Sequence, residues 1–557
     1  MLRKTIFVLS FLIIGYTQLN AQDQNNFKIA KSIETYSAVL RQLNLNYADS
    51  INPVKMTTTA IKAMLGKMDP YTIFIPPAEL SNFKLMTQGV YGGIGALIQQ
   101  QGHYVVITEP YQNFPAQKAG LKAGDKIIAI NGKSAKNMTS SKVSNLLKGS
   151  PGSALNLSIQ HFGDSATTTL KIKRQKIKIP NVPYYGVVGK DIGYISLSQF
   201  NPNAANDVRN AFLDLKNNHH IKGVILDLRN NGGGLLNEAV NIANIFVKKG
   251  QTIVTTKGKL QANTSVRKTT APVVDAKIPL AILVNENTAS ASEIVAGSMQ
   301  DLDRAVIIGQ RTFGKGLVQN VVSLPYGAKM KVTIAKYYIP SGRCIQAIDY
   351  FHRGKRGRAA KVPDSLISAF KTKHGRTVYD GGGLKPDISL KPTVFSQLSA
   401  DLYAQNYIFD FANKFYLNHD TISGPRNFRI SDTTFNRFKQ FVLKKGFSYK
   451  TETGALIKRL NQSAKREGYY DALKPGLDSL LQRLNREKKN DLDKHKSEID
   501  EMLRMEIVTR YFYQSGKTEA SLVNDDEVTK AIDILNNHTR YKAILRKPKP
   551  TASKSGK

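Results

Sequence analysis

The sequence predicts a multidomain chain in which an α/β layer carries an inserted or preceding β-rich module and has helical regions on both sides. Strands alternate with helices between Gly223 and Gly309, which is typical of an α/β layer. Short β-rich runs separated by glycine turns fill the segment from Gln88 to Arg174. Apolar residues recur at helical spacing between Phe27 and Phe83, and highly charged helical sequence begins near Ser396. At 557 residues, the chain can hold roughly three or four domains.

The helical N-terminal region and the β-rich module differ in their periodicity. Helical spacing runs from Ile29 to Leu43, returns from Ile61 to Leu65, and ends before Asp69-Pro70-Tyr71. The β-rich module contains the strong hairpin turn Asn131-Gly132. Four strands are predicted there: Gly95–Gln99, Tyr104–Thr108, Lys126–Ile130 and Leu155–Gln160.

The α/β layer follows, and its elements are predicted from apolar runs of strand and helix length. In order they are strand Gly223–Arg229, helix Leu235–Lys249, strand Leu280–Asn285, helix Ser290–Asp303 and strand Ala305–Gly309. Next, a hairpin is expected to join Leu317–Leu324 to Lys329–Tyr338. Further on, charges at i,i+4 spacing predict a solvated helix over Leu480–Val508. The low-complexity tail Lys547–Lys557 is expected to be disordered.

Composition limits the classes of function. Apolar residues make up 41% of the chain and charged residues 22%, which argues against wholesale disorder and against a multi-span membrane protein. Lys and Arg exceed Asp and Glu by 38, with dense basic runs at His352–Lys361 and Arg546–Lys557. Such an excess attracts anionic partners, such as nucleic acid or acidic lipid headgroups. The single cysteine, Cys344, excludes an internal disulfide.

The first 21 residues are predicted to be a secretory signal peptide. Arg3 and Lys4 precede the apolar run Thr5–Tyr16, and Leu19-Asn20-Ala21 is a suitable cleavage site. The apolar run has about a dozen residues, whereas a membrane span needs about 20. We therefore expect an exported, periplasmic protein and no nucleic-acid partner. The alternative is a retained N-terminal segment that associates the protein with a membrane surface.

Ser290 is a candidate nucleophile because it lies where the strand Leu280–Val284 leads into a helix. Free amides and the helix dipole favour negative charge there, which a tetrahedral oxyanion needs. However, Ser290-Ala291-Ser292-Glu293 is also a capping box, with Ser290 as N-cap and Glu293 at position N3. Spacing alone does not choose between Ser290 and Ser292.

A nucleophilic serine needs a base, and Lys315 is the candidate. The nine histidines are scattered, and no spacing connects one to Ser290. A lysine can accept the proton only when desolvation lowers its pKa by about three units, because only the neutral amine is basic. Lys315 lies between two glycines and leads into an apolar strand. If the chain is extended from Lys315 onward, Gln319 lies on the same face and can orient the amine. The alternative is a surface lysine in a loop.

Together these motifs resemble the C-terminal processing (tail-specific) serine proteases, peptidase family S41. The resemblance lies in Asn287–Gly297 and in Gly309–Gly316 with Gln319. It implies that Ser290 is the nucleophile, that Lys315 is the general base and that Gln319 belongs to the catalytic set. It also implies a crotonase/ClpP-like α/β protease core that uses no metal and no cofactor.

The resemblance extends to the glycine turn Asp227–Gly234. It implies that one oxyanion N–H comes from Gly233 or Gly234, a choice that the sequence leaves open, and the other from Ala291. Ser292 is then left with a structural role. Without the resemblance, the glycine run is a tight βα turn or a phosphate loop, although it lacks the P-loop lysine and the GxGxxG spacing.

The β-rich module resembles a PDZ domain. Its string Gly92-Gly93-Ile94-Gly95 is similar to the loop whose amides converge on a terminal carboxylate while the peptide adds to an edge strand. The segment Pro115–Asp125 strengthens the match. Expected partners are therefore proteins or peptides with accessible C-terminal tails, and assembly into a homo-oligomer is left open.

The expected organisation has six segments. They are the signal peptide (1–21), the N-terminal helical region (22–86), the PDZ-like domain (87–175), the protease core (176–395), the C-terminal helical region (396–545) and the basic tail (546–557). Two other functions stay open at this point. One is a non-catalytic PDZ adaptor on a dead protease fold, and the other is an acyl-CoA enzyme of the crotonase type.

Overall fold

A computed structural model describes residues 25–80, 83, 89–353, 359–488 and 490–546. Three sequence features lie wholly or largely outside the described residues: the predicted signal peptide, the middle of the basic run His352–Lys361, and nearly all of the basic tail. The chain forms two compact units, Met1–Leu80 with Gln319–Thr333 and Ser81–Val318 with Ile334–Lys557. Within the described ranges, no helix combines the length and the apolarity that a membrane span requires.

The N-terminal region is helical, as predicted. Helix α1 covers residues 25–46, and α2 (Pro53–Leu65) starts at a proline behind the N-cap Asn52. After α2, the Asp69 carboxylate accepts hydrogen bonds from the amides of Tyr71 and Thr72 and fixes a turn. This turn leads into strand β1 (Ile73–Ile75).

The β-rich module is built of short strands, as predicted, and these form an antiparallel sheet with an apolar core. Its strands are β2 (Val90–Gly93), β3 (Ala96–Gln101), β4 (Tyr104–Pro110), β5 (Lys126–Ile130), β6 (Lys133–Ser134), β7 (Ala154–Gln160), β8 (Thr167–Lys173) and β9 (Gln175–Lys178). The helices α3 (Pro115–Lys118) and α4 (Ser140–Leu147) complete it. The sheet order is β3-β4-β5-β7-β8, so β3 is an edge strand, while β2 pairs with β9. The core includes Val105, Ile107, Ile127, Val143, Leu155 and Leu157.

The α/β layer has a six-stranded sheet in the order β10-β11-β12-β15-β16-β23. Its strands are β10 (Tyr184–Val188), β11 (Ile192–Ser196), β12 (Gly223–Asp227), β15 (Leu280–Val284), β16 (Val306–Gly309) and β23 (Ile388–Ser389). Only the β10–β11 pair is antiparallel in this sheet. The helices α5 (Ala204–Asn218), α6 (Leu236–Phe246) and α7 (Ala291–Asp301) connect the parallel strands. The predicted alternation of strands and helices is thus confirmed, with end points that differ by a few residues.

Smaller strands surround this layer. They are β13 (Thr252–Gly258), β14 (Ser265–Lys268), β17 (Leu317–Ser323), β18 (Lys329–Tyr338), β19 (Ile348–Asp349), β20 (Ala360–Lys361), β21 (Ala369–Lys371) and β22 (Thr377–Tyr379). The predicted hairpin is confirmed, because β17 pairs with β18. In the smaller unit, β1 pairs with the start of β18, and in the larger unit β13 pairs with its end.

The C-terminal region is helical, as predicted. Its helices are α8 (Gln397–Ala404), α9 (Tyr407–Leu417), α10 (Asp432–Lys444), α11 (Glu452–Glu467), α12 (Tyr470–Lys488), α13 (Asp491–Lys494), α14 (Lys496–Ser521), α15 (Asp526–Asn536) and α16 (His538–Ile544). The single solvated helix predicted over Leu480–Val508 is wrong, because α12, α13 and α14 share this stretch. Its second half is also buried in part, since Leu492, Ile499 and Leu503 pack into the helical core.

Helices cover both faces of the parallel sheet. Successive side chains of a strand point to opposite faces, so Leu226 and Ile282 face α5, α6 and α7, whereas Ile225 and Leu283 face α15 and α16. A parallel sheet that is buried on both faces explains why these strands are apolar throughout instead of alternating. The C-terminal helices α15 and α16 therefore complete the core of the α/β layer.

Candidate active site

The candidate residues lie on three loops at one edge of the sheet. β12, β15 and β16 are parallel neighbours, so their carboxyl ends meet at the same edge. Ligands of open α/β sheets bind at this edge. The glycine turn 228–235 follows β12, the segment 285–290 follows β15, and the loop 310–316 follows β16.

Ser290 has a backbone conformation that a simple N-cap does not need. Its φ is 58° and its ψ is −115°, and α7 begins at the next residue. N-cap residues usually have extended backbones, whereas a strained backbone at this position costs about 1–3 kcal/mol and is typical of functional sites. A sharp strand-to-helix turn also exposes the nucleophile in serine hydrolases. Ser292, in contrast, is fully buried and donates to the carbonyl of Asn231 at 2.9 Å.

The carboxylate of Glu293 connects Ser290 with the loop that carries Lys315. Its Oε2 accepts from the amide of Ser290 at 2.8 Å and from the amide of Lys315 at 2.9 Å. Its Oε1 accepts from the amide of Gly314 at 2.7 Å and from the hydroxyl of Thr312 at 2.5 Å. Burial raises the pKa of Glu293 to about 7, and the four hydrogen bonds oppose that rise. The residue that the sequence analysis identified only as a capping partner therefore holds both candidate dyad residues.

A second link between these residues is the hydroxyl of Tyr337. It donates to the carbonyl oxygen of Lys315 at 2.5 Å and lies 3.2 Å from that of Ser290. Tyr337 is only 1% exposed, and Lys315 is half-buried. The sequence analysis gave Tyr337 no role, because nothing in its local pattern places it near Ser290.

Gln319 is described in the smaller unit, where its Nε2 donates to Thr333 Oγ1 at 3.3 Å. Strand β17 begins at Leu317, so Lys315 precedes the strand. The same-face argument for Lys315 and Gln319 assumed a strand from Lys315 onward and loses this support. A role for Gln319 in the site stays a prediction.

Of the two candidate glycines, Gly233 is the one that lies against the strained serine. A Cβ placed on Gly233 would lie 2.8 Å from both the amide nitrogen of Ala291 and the Cβ of Ser290. A Cβ on Gly234 would instead lie 2.5 Å from the carbonyl oxygen of Phe200. Both glycines have positive φ, so neither position suits a side chain. Gly233 is therefore the glycine that lies against Ser290 and the amide of Ala291.

Asn231 holds this glycine turn in place. Its side chain is fully buried, accepts from the amide of Gly233 at 2.9 Å and donates to the carbonyl of Leu197 at 2.7 Å. Its own carbonyl accepts from the amide of Ala289 at 3.0 Å. The amide of Gly233 is thus engaged by Asn231 in this structure.

The predicted carboxylate loop divides into three parts. Gly92 and Gly93 end β2 and pair with β9, and Ile94 is buried in the core of the β-rich module. Gly95 turns the chain into the edge strand β3 with a φ of 75°. A Cβ there would lie 2.6 Å from that of Phe114. The loop therefore leads directly into β3, which pairs on one side only among the residues that the structure describes.

Family models match three parts of the chain. The model for peptidase family S41 matches residues 191–350, and the PDZ domain model matches residues 83–160. A model described as the C-terminal helical domain of a probable PDZ-protease matches residues 398–535. These matches fall on the α/β layer, the β-rich module and the C-terminal helices.

Similar proteins carry related names. A carboxy-terminal-processing protease of Bartonella bacilliformis is 33% identical over 365 residues, which are 62% of this chain and 81% of that protein. A chloroplastic C-terminal processing peptidase of Tetradesmus obliquus is 36% identical over 309 residues, which are 52% of this chain and 66% of that protein. A solved structure of the photosystem II D1 C-terminal processing protease is 31% identical, covers 67% of this chain and 90% of its own, and gives a TM-score of 0.36. The chain belongs to peptidase family S41, as a C-terminal processing protease with a PDZ domain and a C-terminal helical domain.

Proposed function

We propose that this protein is an exported serine endopeptidase that binds C-terminal tails through its PDZ domain and cleaves peptide bonds with a Ser290/Lys315 dyad. One observation carries the proposal: a single buried carboxylate, that of Glu293, binds the amides of both residues while Ser290 keeps a strained backbone. Periplasmic export rests on the N-terminal sequence alone. A retained N-terminal segment at a membrane surface and a homo-oligomer stay predictions.

The chemistry follows from the residue types. Ser290 Oγ attacks the peptide carbonyl while the neutral amine of Lys315 takes its proton. Lys315 then gives this proton to the leaving amine, and water hydrolyses the acyl-enzyme by the same route. Protonated lysine accepts no proton, so turnover is expected to rise with pH.

Two backbone amides are suited to hold the oxyanion. They belong to Ala291, which follows Ser290, and to Gly233, which lies against Ser290, and N–H donors stabilise the charge that develops on an oxyanion. The amide of Gly233 now serves Asn231, so its use on the oxyanion requires the Asn231 carboxamide to turn away. Gly234 remains the alternative donor.

Tail binding is assigned to the loop at Gly92–Gly95 and to the edge strand β3. An added peptide strand forms main-chain hydrogen bonds with an unpaired edge, which accepts many sequences. The amides around Ile94 and Gly95 are where the terminal carboxylate is expected. Main-chain hydrogen bonds of this kind would let the protein bind free C-terminal tails of different sequence.

The test is proteolysis by the purified chain on an unstructured peptide with a free C-terminus, with products identified by mass spectrometry. Ser290→Ala and Lys315→Ala should each lower kcat by on the order of 10⁴-fold while tail binding persists. The controls are Ser389→Ala and Lys385→Ala, since both side chains are exposed and lie in the same domain. Parental turnover in either dyad variant would refute the dyad. Tail binding without turnover by the parent would indicate the PDZ adaptor instead.

A further inference from the structure

The first turn of α15 places an acidic side chain near the carboxyl ends of β12, β15 and β16, where the candidate site lies. Asp525 caps this helix, because its Oδ1 accepts from the amides of Glu527 at 2.9 Å and Val528 at 3.0 Å. Val528 packs into the core on the second face of the sheet. Glu527 is therefore fixed at the helix start, and it is only 9% exposed.

The carboxylate of Glu527 contacts two of the three loops that form the candidate site. Its Oε2 accepts from Arg229 Nη1 at 2.6 Å, and its Oε1 accepts from Gln310 Nε2. Arg229 lies in the glycine turn after β12. Gln310 is the first residue of the loop 310–316, which follows β16 and carries Lys315. These two strands are separated by β15, which is two strand spacings or roughly 9–10 Å. One carboxylate therefore contacts both of the loops that lie on either side of the segment 285–290.

Neutralisation of Arg229 does not explain this carboxylate. The guanidinium already contacts Asp227 at 2.5 Å and Asp525 at 2.8 Å. With Glu527, three carboxylates surround one cation, and burial raises the pKa of Glu527 while Arg229 opposes that rise. Buried ion pairs add little net stability because desolvation offsets their attraction. The role of Glu527 therefore depends on its position between the two loops more than on its charge.

Displacement at either contact would reach the dyad through hydrogen bonds. On the glycine-turn side, the residue after Arg229 is Asn230, whose amide donates to Asn285 Oδ1 at 2.9 Å at the start of the segment that carries Ser290. On the lysine side, the amide of Gln310 donates to the carbonyl of Val284 at 2.9 Å. Both hydrogen bonds end where β15 leads into the segment that carries Ser290, and Gln310 itself belongs to the loop that carries Lys315.

We infer that Glu527, a residue of the C-terminal helical domain, is a positioning residue that sets the spacing between the glycine turn and the Lys315 loop. The C-terminal helical domain thereby takes part in the active site without contacting the substrate. The effect on turnover rests on the proposed function, whereas the effect on the two loops does not.

The experiment compares five variants of the full chain: Glu527→Ala, Glu527→Asp, Glu527→Gln, Gln310→Ala and the double variant of Glu527→Ala with Gln310→Ala. The control is Glu519→Ala, which removes another ion-paired carboxylate of the same domain, 2.8 Å from Arg426. Hydrogen–deuterium exchange is measured for peptides that cover 230–234 and 311–316. Exchange should rise in both segments for Glu527→Ala and stay at the parental level for Glu519→Ala.

Turnover measurements distinguish the effect of side-chain length at position 527 from the effect of its charge. Glu527→Asp keeps the charge but shortens the side chain, so kcat should fall about tenfold to a hundredfold, as for Glu527→Ala, with KM and the PDZ affinity unchanged. Glu527→Gln keeps the length, and the carboxamide of Gln310 can turn so that its oxygen accepts from the new NH2 group, so this variant should retain more activity than Glu527→Asp. The double variant of Glu527→Ala and Gln310→Ala should lose no more than the worse single variant, because Glu527→Ala already removes the contact that Gln310→Ala removes.

Three results would overturn the inference. The first is unchanged exchange in both segments of Glu527→Ala, and the second is full activity in Glu527→Asp with loss in Glu527→Gln. The third is equal loss in the Glu519→Ala control, which would mean a general effect on folding. If the parent itself cleaves nothing, the proposed function fails, and the exchange measurement still decides whether Glu527 holds the two loops.

Discussion

Replacing Glu293 by glutamine tests whether the carboxylate behind Ser290 titrates as the structure indicates. Burial raises the pKa of Glu293 from 4.5 to about 7, so the folded protein holds this proton more tightly than the unfolded chain does. The resulting stabilisation is fully present below pH 4.5 and is lost as pH rises through about 7. A shift from 4.5 to about 7 corresponds to about 3 kcal/mol. Glutamine cannot titrate, so Glu293→Gln lacks this dependence.

The assay is urea unfolding of the parent and of Glu293→Gln between pH 4.5 and 8. At pH 4.5 the parent should be more stable by about 1–3 kcal/mol, because the glutamine NH2 group faces donors where an acid oxygen can still accept. As pH rises, this difference should shrink by about 3 kcal/mol. Thr312→Val keeps the carboxylate and loses one donor to it, so it should keep the dependence.

A difference that stays constant or grows with pH would refute the reasoning, because it would mean that Glu293 is already ionised across this range. Turnover gives an independent result. Glu293→Gln should lower kcat by about tenfold to a hundredfold near neutral pH, since one amide oxygen cannot hold the amides of both Ser290 and Lys315 as two carboxylate oxygens do.

Three further substitutions test other contacts. Tyr337→Phe removes the hydroxyl between the two dyad carbonyls and should cost about 1 kcal/mol in urea unfolding, with a several-fold lower kcat. Gly233→Ala should abolish peptide cleavage, because its Cβ would lie 2.8 Å from the neighbouring amide, whereas Gly232→Ala, with open space around it, should stay active. Gly95→Ala should abolish tail binding in a fluorescence polarisation assay, whereas Gly102→Ala, with positive φ but no close neighbour, should bind normally. Binding by Gly95→Ala or cleavage by Gly233→Ala at the parental level would contradict these roles.

The parts of the fold that are local in sequence could be predicted. Strands such as Lys126–Ile130 and Lys329–Tyr338 have the predicted ends, because turn residues bound their apolar runs. The continuous apolar run Leu280–Val284 also indicates a strand that is buried on both faces of its sheet, so this burial could have been predicted from the sequence. The helix predicted over Leu480–Val508 failed because i,i+4 charge pairs do not reveal a break or the burial of residues between them.

The candidate site could be predicted only where a local pattern reports on chemistry. Ser290 and its capping partner lie three residues apart, so the sequence joins them. Glu527 lies 298 residues after Arg229, and no spacing rule reaches that far. The choice between Gly233 and Gly234 also needed coordinates, because it depends on which backbone each one approaches.

The packing of α15 and α16 on the second face of the sheet sets an order of events during synthesis. Strands β12, β15 and β16 emerge from the ribosome more than two hundred residues before these helices, so one face of the sheet stays uncovered until the helices have been made. Long-range contacts of this kind form late and slowly. We therefore expect the α/β layer to complete its core only after these C-terminal helices have been made.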